Sequence, residues 1–256
     1  MNLIFSFLML AGTASGSATL DGFQLAYSHA AAVQQPNEFF PERTEWLIVL
    51  SDLPVQAIDI RDETVPFEAG YLEIRFDEKR AVCGVVFHKG FSETGGGGDL
   101  KFSGTLQETA KGKLTTGQPL DIMGSSLSID VSFEADIVTS AHFEKQMTAK
   151  GSKAETSAQG KCFKSVLDAI KNENIELARK AMSQSWEETL AGEWGGGIST
   201  LAYSLDLPEQ FQYDAVWEGA GQSRLYLKTE DRIGTLIFLK EQDELKLESV
   251  NWRYTF

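Results

Sequence analysis

In the first half of the chain, apolar residues alternate with polar ones at strand spacing, and turn residues break the runs. Residues 20–30 (LDGFQLAYSHA) alternate. Residues 45–50 (EWLIVL) read as a buried strand stopped by Ser51, Asp52 and Pro54. Residues 71–76 and 82–87 flank the charged turn Asp77-Glu78-Lys79-Arg80, and residues 99–105 and 112–116 flank a second polar turn. Residues 126–138 (SLSIDVSFEADIV) alternate almost without interruption. The pattern predicts antiparallel all-β packing, either a sandwich or an open barrel.

The pattern changes at residues 145–161 (KQMTAKGSKAETSAQGK), which hold one Met and no aromatic or branched aliphatic residue. So little apolar surface does not offset the entropy of ordering a segment, so this stretch reads as a polar linker. Beyond it, Phe163, Val166, Leu167 and Ile170 mark one face of a helix. A second helix is expected from the N-cap Asn174, with Glu176 in its first turn and Ile175, Ala178, Met182, Trp186 and Leu190 on its buried side. The glycines at 192–197 end it. Four strands follow, at 211–218, 223–228, 234–239 and 245–254. The expected organisation is a leader over 1–18, an all-β domain over 19–144, the linker over 145–161 and an α+β domain over 162–256.

The leader is inferred from an apolar run at residues 3–11, broken only by Ser6, and the small-residue string at 12–18. That is the pattern of a secretory signal peptide, with cleavage expected after Ala18 or, second, after Gly16. The run is too short to span a bilayer, and no later run reaches ~18 apolar residues, so no membrane span is expected in the mature chain. An exported, periplasmic protein follows. The net charge of −14 disfavours nucleic-acid and anionic-membrane partners. In an oxidising compartment Cys83 and Cys162 could form one interdomain disulfide, worth about 4 kcal/mol on the loop-entropy model; equally, Cys83 could be a small buried hydrophobe.

Motif chemistry is sparse. No Gly-x-Ser-x-Gly elbow, His-Glu-x-x-His pair, Walker loop or zinc spacing is present. The four glycines at 95–98 lie between strands, with no Lys-Ser or Lys-Thr after them, and read as a hairpin loop. His29, His88 and His142 raise a metal site as a minority reading. Cys83 and His88 have a spacing that suits a copper loop, but Phe91, Ser92 and Glu93 stand where its methionine belongs. In the second half, Trp186, Trp194, Phe211, Tyr213, Trp217 and Phe238 supply enough aromatic surface to line a small-molecule pocket, though each is more often a core residue and the core of such a domain needs them. No catalytic residue and no cofactor is singled out.

Two resemblances add to this. The strand with AYSHAAA (residues 26–32), the turn VLSDLPV (49–55) and the strand IDVSFEADI (129–137) resemble a β-rich domain of exported bacterial proteins of unknown function. The run AIKNENIELARKAM (169–182), followed by strands that close on KLESVNWRYTF, resembles the nuclear-transport-factor-2-like cone fold. That resemblance implies helices packed on a curved antiparallel sheet, in a superfamily that includes isomerases, dehydratases and pure binding modules. Fold does not fix activity, and this half has no histidine. The leading expectation is a non-catalytic exported protein that binds a protein partner or a small apolar ligand. A cofactor-free enzyme using the cone cavity comes second, and metal binding through the histidines third.

Overall fold

A computed structural model describes residues 12–254, apart from 38–39, 67, 91, 98, 123, 192–195 and 220. The chain is mostly β, with 52% of residues in strands and 23% in helices. It packs as two compact units that meet in sequence between Phe143 and Glu144. No helix among the described residues is long and apolar enough to cross a membrane.

The first unit contains β1 (Gly12–Leu20), β2 (Phe23–Ala26), β3 (His29–Pro36), β4 (Thr44–Ser51), α1 (Ala57–Arg61), β5 (Tyr71–Phe76), β6 (Val82–His88) and β7 (Ser92–Gly96). It continues with β8 (Leu100–Leu106), β9 (Thr109–Thr116), β10 (Leu120–Ile122) and β11 (Ser125–Thr139). Helix α2 (Ser140–Gln146) runs across the boundary. All eleven strands join one sheet, ordered β7-β6-β5-β4-β3-β1-β11-β9-β8, with β2 beside β1 and β10 beside β11. The sheet curls into a half-barrel, not a sandwich. Five strands separate β5 from β8 in that order, yet the rings of Phe76 and Phe102 meet across the interior at 4.8 Å. Large side chains (Phe76, Phe87, Phe133) and small ones (Ala18, Ala30, Ala32, Ala110) share one buried core.

The run expected as one strand over 20–30 is a hairpin. Asp21 and Gly22 both have positive φ, 47° and 84°, and Leu20 pairs with Phe23, so the two residues form a tight turn of the hand that matches strand twist. The Asp21 carboxylate accepts from the Ser126 amide at 2.7 Å and ties the turn to β11. The strand entering this hairpin is β1. Residues 12–18, read from sequence as the end of a leader, therefore form most of a central strand paired with β11 from Thr13↔Glu134 to Leu20↔Leu127. Ala18 is fully buried. Gly16 has φ 102° and lies so close to β11 that a Cβ would run into the Asp130 carbonyl oxygen. Small residues are needed at Gly12, Gly16 and Ala18, where β1 lies tightly against β11 or is buried. A chain cut after Ala18 or Gly16 would lose most of this strand. The apolar run at residues 3–11, expected to form the leader's core, lies outside the described residues.

The second unit holds β12 (Met147–Lys150), α3 (Ser152–Glu155), α4 (Ala158–Lys171), α5 (Ile175–Ala181), α6 (Glu187–Ala191), α7 (Gly197–Leu205) and strands β13 (Gln212–Glu218), β14 (Gln222–Lys228), β15 (Arg232–Glu241) and β16 (Glu244–Tyr254). The sheet is an antiparallel meander, β12-β13-β14-β15-β16. The expected polar linker is folded: β12 pairs with β13, Ala154 is fully buried, and the Ser157 hydroxyl caps α4 by accepting from the Gly160 amide at 3.0 Å. An edge strand gains its order from backbone hydrogen bonds, so a segment poor in apolar side chains can still fold. Asn174 caps α5, accepting from the Leu177 amide at 3.0 Å. The long second helix expected up to the glycines is broken, because Met182 turns extended and bridges Leu247. Phe163, Val166, Leu201 and Leu205 pack with Leu225, Leu236, Phe238 and Leu247 to form the core.

Candidate functional site

In β3, β4 and β5 the two faces differ in chemistry. Trp46, Ile48, Leu50, Leu72, Ile74 and Phe76 point into the half-barrel. The alternate positions pair as Gln35↔Glu45, Leu47↔Arg75 and Ser51↔Tyr71, with Glu73 opposite Val49, so they share the outer face. Helix α1 and the residues after it supply Ile60, Glu63 and Val65, and together these enclose a cavity of about 280 Å³. Helix α1 is fixed by a capping box, in which the Gln56 amide donates to the Asp59 carboxylate at 2.9 Å. Arg61 pairs with the fully buried Asp62 at 2.8 Å, and its guanidinium lies 4.6 Å over the Phe143 ring.

Glu45 is 4% exposed although it carries a carboxylate. Its oxygens accept from Gln35 Nε2 at 3.1 Å and Asn37 Nδ2 at 2.7 Å. Arg75 donates through Nε to Glu73 at 2.6 Å. Tyr71 lines the cavity, and burial, then the Glu73 charge, pushes its phenol up from its ordinary pKa. The His88 ring stacks on Tyr71 at 4.6 Å and 15°, and His88 Nδ1 is 2.6 Å from Ser92 Oγ. These contacts hold the tyrosine ring in place. A second cavity, about 230 Å³, lies beside Gln35 and is lined by Pro36, Pro41, Arg43, Thr139 and Ser140 among others.

The three histidines are not brought together. His29, Ser51, Tyr71 and His88 occupy one row across four strands, which places His29 and His88 about 14 Å apart at the backbone. His142 Nδ1 accepts from the Thr139 amide at 3.2 Å. Among the described residues no group of His, Cys, Asp or Glu could hold a metal ion. Both cysteines are free: Cys83 is exposed, and Cys162 donates to the Leu245 carbonyl at 3.3 Å, its thiol pushed up to about 11 by burial. The disulfide weighed as one reading is not formed, and Cys83 is not the buried hydrophobe of the other.

The aromatic residues weighed as a pocket wall or as core are, where described, engaged in packing and hydrogen bonds. Phe238 is fully buried in the core, and Phe211 packs against Phe163 at 5.8 Å and Tyr213 at 5.7 Å. Trp186 Nε1 donates to the Glu248 carbonyl at 2.6 Å, and Trp217 Nε1 to Gln146 at 3.0 Å. Trp194 lies outside the described residues. Both cavities described above belong to the first unit. The sequence did carry a signal for the outer-face site: Glu73 and Arg75 are the polar phase of the alternating strand β5, and Glu45 is the charged residue that opens the apolar run of β4. Their meeting under α1 depends on strand order, which local pattern does not contain.

No family model matches this chain, and comparison with curated proteins and with solved structures gives no match.

Proposed function

We propose that the protein acts by binding a small polar ligand in the outer-face cavity of the first unit, in an exported setting. The observation that carries this is a buried, charged side chain placed beside open volume: Glu45, held by Gln35 and Asn37, next to a cavity of about 280 Å³. A fold that needed only a packed surface would place an apolar residue there, since burying a carboxylate is costly. The cavity is near the lower end of typical ligand sites, roughly 300 Å³, which suits a small molecule. Its polar wall points away from the apolar ligand expected from composition. The apolar run at residues 3–11 supports export. The helix-then-sheet order of the second unit supports the nuclear-transport-factor-2-like reading as architecture. That reading brings no ligand with it, because the aromatic residues that would line a cavity are engaged in packing and hydrogen bonds.

The test is a thermal-shift screen of the full chain against small amines, amino acids, sugars and dicarboxylates. Hits are expected to raise the unfolding temperature of wild type and to lose that effect in Leu47→Trp, which fills the cavity. A screen in which no class shifts the transition, or in which Leu47→Trp responds as wild type does, would overturn the proposal.

A further inference from the structure

We infer that the ligand of this cavity is a small organic cation bearing a primary ammonium or guanidinium group. This inference rests on the binding reading above. Three carboxylates, Glu45, Glu63 and Glu73, line the cavity against one guanidinium, Arg75, so the wall carries a formal excess of negative charge. Arg75 is turned to Glu73 at 2.6 Å, which neutralises the group an anionic ligand would need. Glu45 receives one amide N–H on each oxygen, and a carboxylate offers about four acceptor positions. Its remaining acceptor capacity suits a charged N–H donor, which forms shorter and stronger bonds than a neutral one.

Two further features narrow the class. The carboxylates do not converge on one point, since no group able to hold a metal ion is found among the described residues. Calcium or zinc needs its oxygen ligands within roughly 2–2.6 Å of a common centre. Carboxylates spread along a cavity of about 280 Å³ instead fit a cation with some length. The Tyr71 ring, fixed by its stack on His88, adds an aromatic wall, and an ammonium or guanidinium is attracted to such a ring. Helix α1, through Ile60, and Val65 supply the apolar part of the lining that would hold a short methylene chain.

The experiment is isothermal titration calorimetry of the full chain with agmatine, putrescine, erythritol and succinate. Agmatine or putrescine is expected to bind at one site. Glu45→Gln should weaken that binding by about tenfold or more, the loss of one charge-assisted hydrogen bond. Because Glu45 is buried, the exposed Glu63→Lys serves as a second variant; it should weaken cation binding while leaving the unfolding temperature unchanged. Cation binding that ignores both variants would be diffuse attraction to a chain of charge −14, and would overturn the inference. Binding of succinate or erythritol in place of the amines, abolished by Leu47→Trp, would overturn the cation class and leave the cavity as a binding site. No binding by any probe, together with a silent thermal-shift screen, would remove the cavity itself.

Discussion

The two units reach order by different routes. In the second, four of the five strands form a meander of sequence neighbours, β13 to β16, and the helices that cover them precede them directly. In the first, the sheet is joined at its middle by strands from opposite ends of the unit: Thr13 pairs with Glu134, and Ile137 pairs in parallel with Ala32. Local contacts close at little entropic cost, whereas distant ones must overcome loop closure before they stabilise anything. The difference extends to chemistry. In the second unit Phe163, Phe211, Tyr213 and Phe238 pack into or against the core, while the first carries charged residues on the outer side of strands whose inner side is mostly apolar.

The largest effect that would test this contrast comes from deleting residues 12–18. Loss of β1 should unfold the first unit, since it removes a central strand from a domain held by ~5–15 kcal/mol in total. Hydrogen exchange should then show unprotected amides in β3 and β11 and retained protection in β14 and β15. Protection retained in both units would mean that β1 is dispensable. Terminal sequencing of the protein recovered from its host bears on the same strand: a first residue at Thr19 would place β1 outside the mature sheet.

Core truncation comes next. Phe76→Ala and Phe238→Ala should each cost about 3–5 kcal/mol, read as a lower denaturation midpoint, because both rings are fully buried in well-packed interiors. Each should report on its own unit, so two separate transitions would sharpen the comparison and a single shared one would break it. A smaller loss, about 1–2 kcal/mol, is expected for Gly22→Val in the β1–β2 turn, where φ is 84° and a branched side chain is strained. Asn174→Ala should cost about 1 kcal/mol by removing the α5 cap, again by denaturant titration.

The smallest effect is kinetic. Cys83 is exposed, whereas Cys162 is partly buried with its thiol pushed up to about 11. Iodoacetamide near pH 8 should therefore label Cys83 in the native protein and reach Cys162 mainly when the second unit opens. Equal rates in native buffer would contradict the packing around α4. Raising the pH from about 9 towards 11 favours the unfolded second unit, because there the thiol ionises in the open chain before it does in the folded one.

Short-range order was legible in the residues. The buried run in 45–50, the strand spacing in 71–76, 82–87 and 126–138, the Asn174 cap and the final meander follow from spacing and capping chemistry, which act over a few positions. The Asp21-Gly22 pair was also legible as a hairpin turn and would have required a strand before it, so the small residues of 12–18 could have been read as that strand instead of as the end of a leader. The same string fits either reading, since a leader's cleavage region and the close approach of β1 to β11 at Gly12 and Gly16 both favour small side chains. Whether a polar segment such as 145–161 folds depends on an edge offered by β13 almost seventy positions later. Strand order, which set the histidines three strands apart and brought Glu45, Glu73 and Arg75 under α1, is decided by which long-range pairings bury the most surface together. That sum is taken over the whole chain, and no stretch of sequence carries it alone.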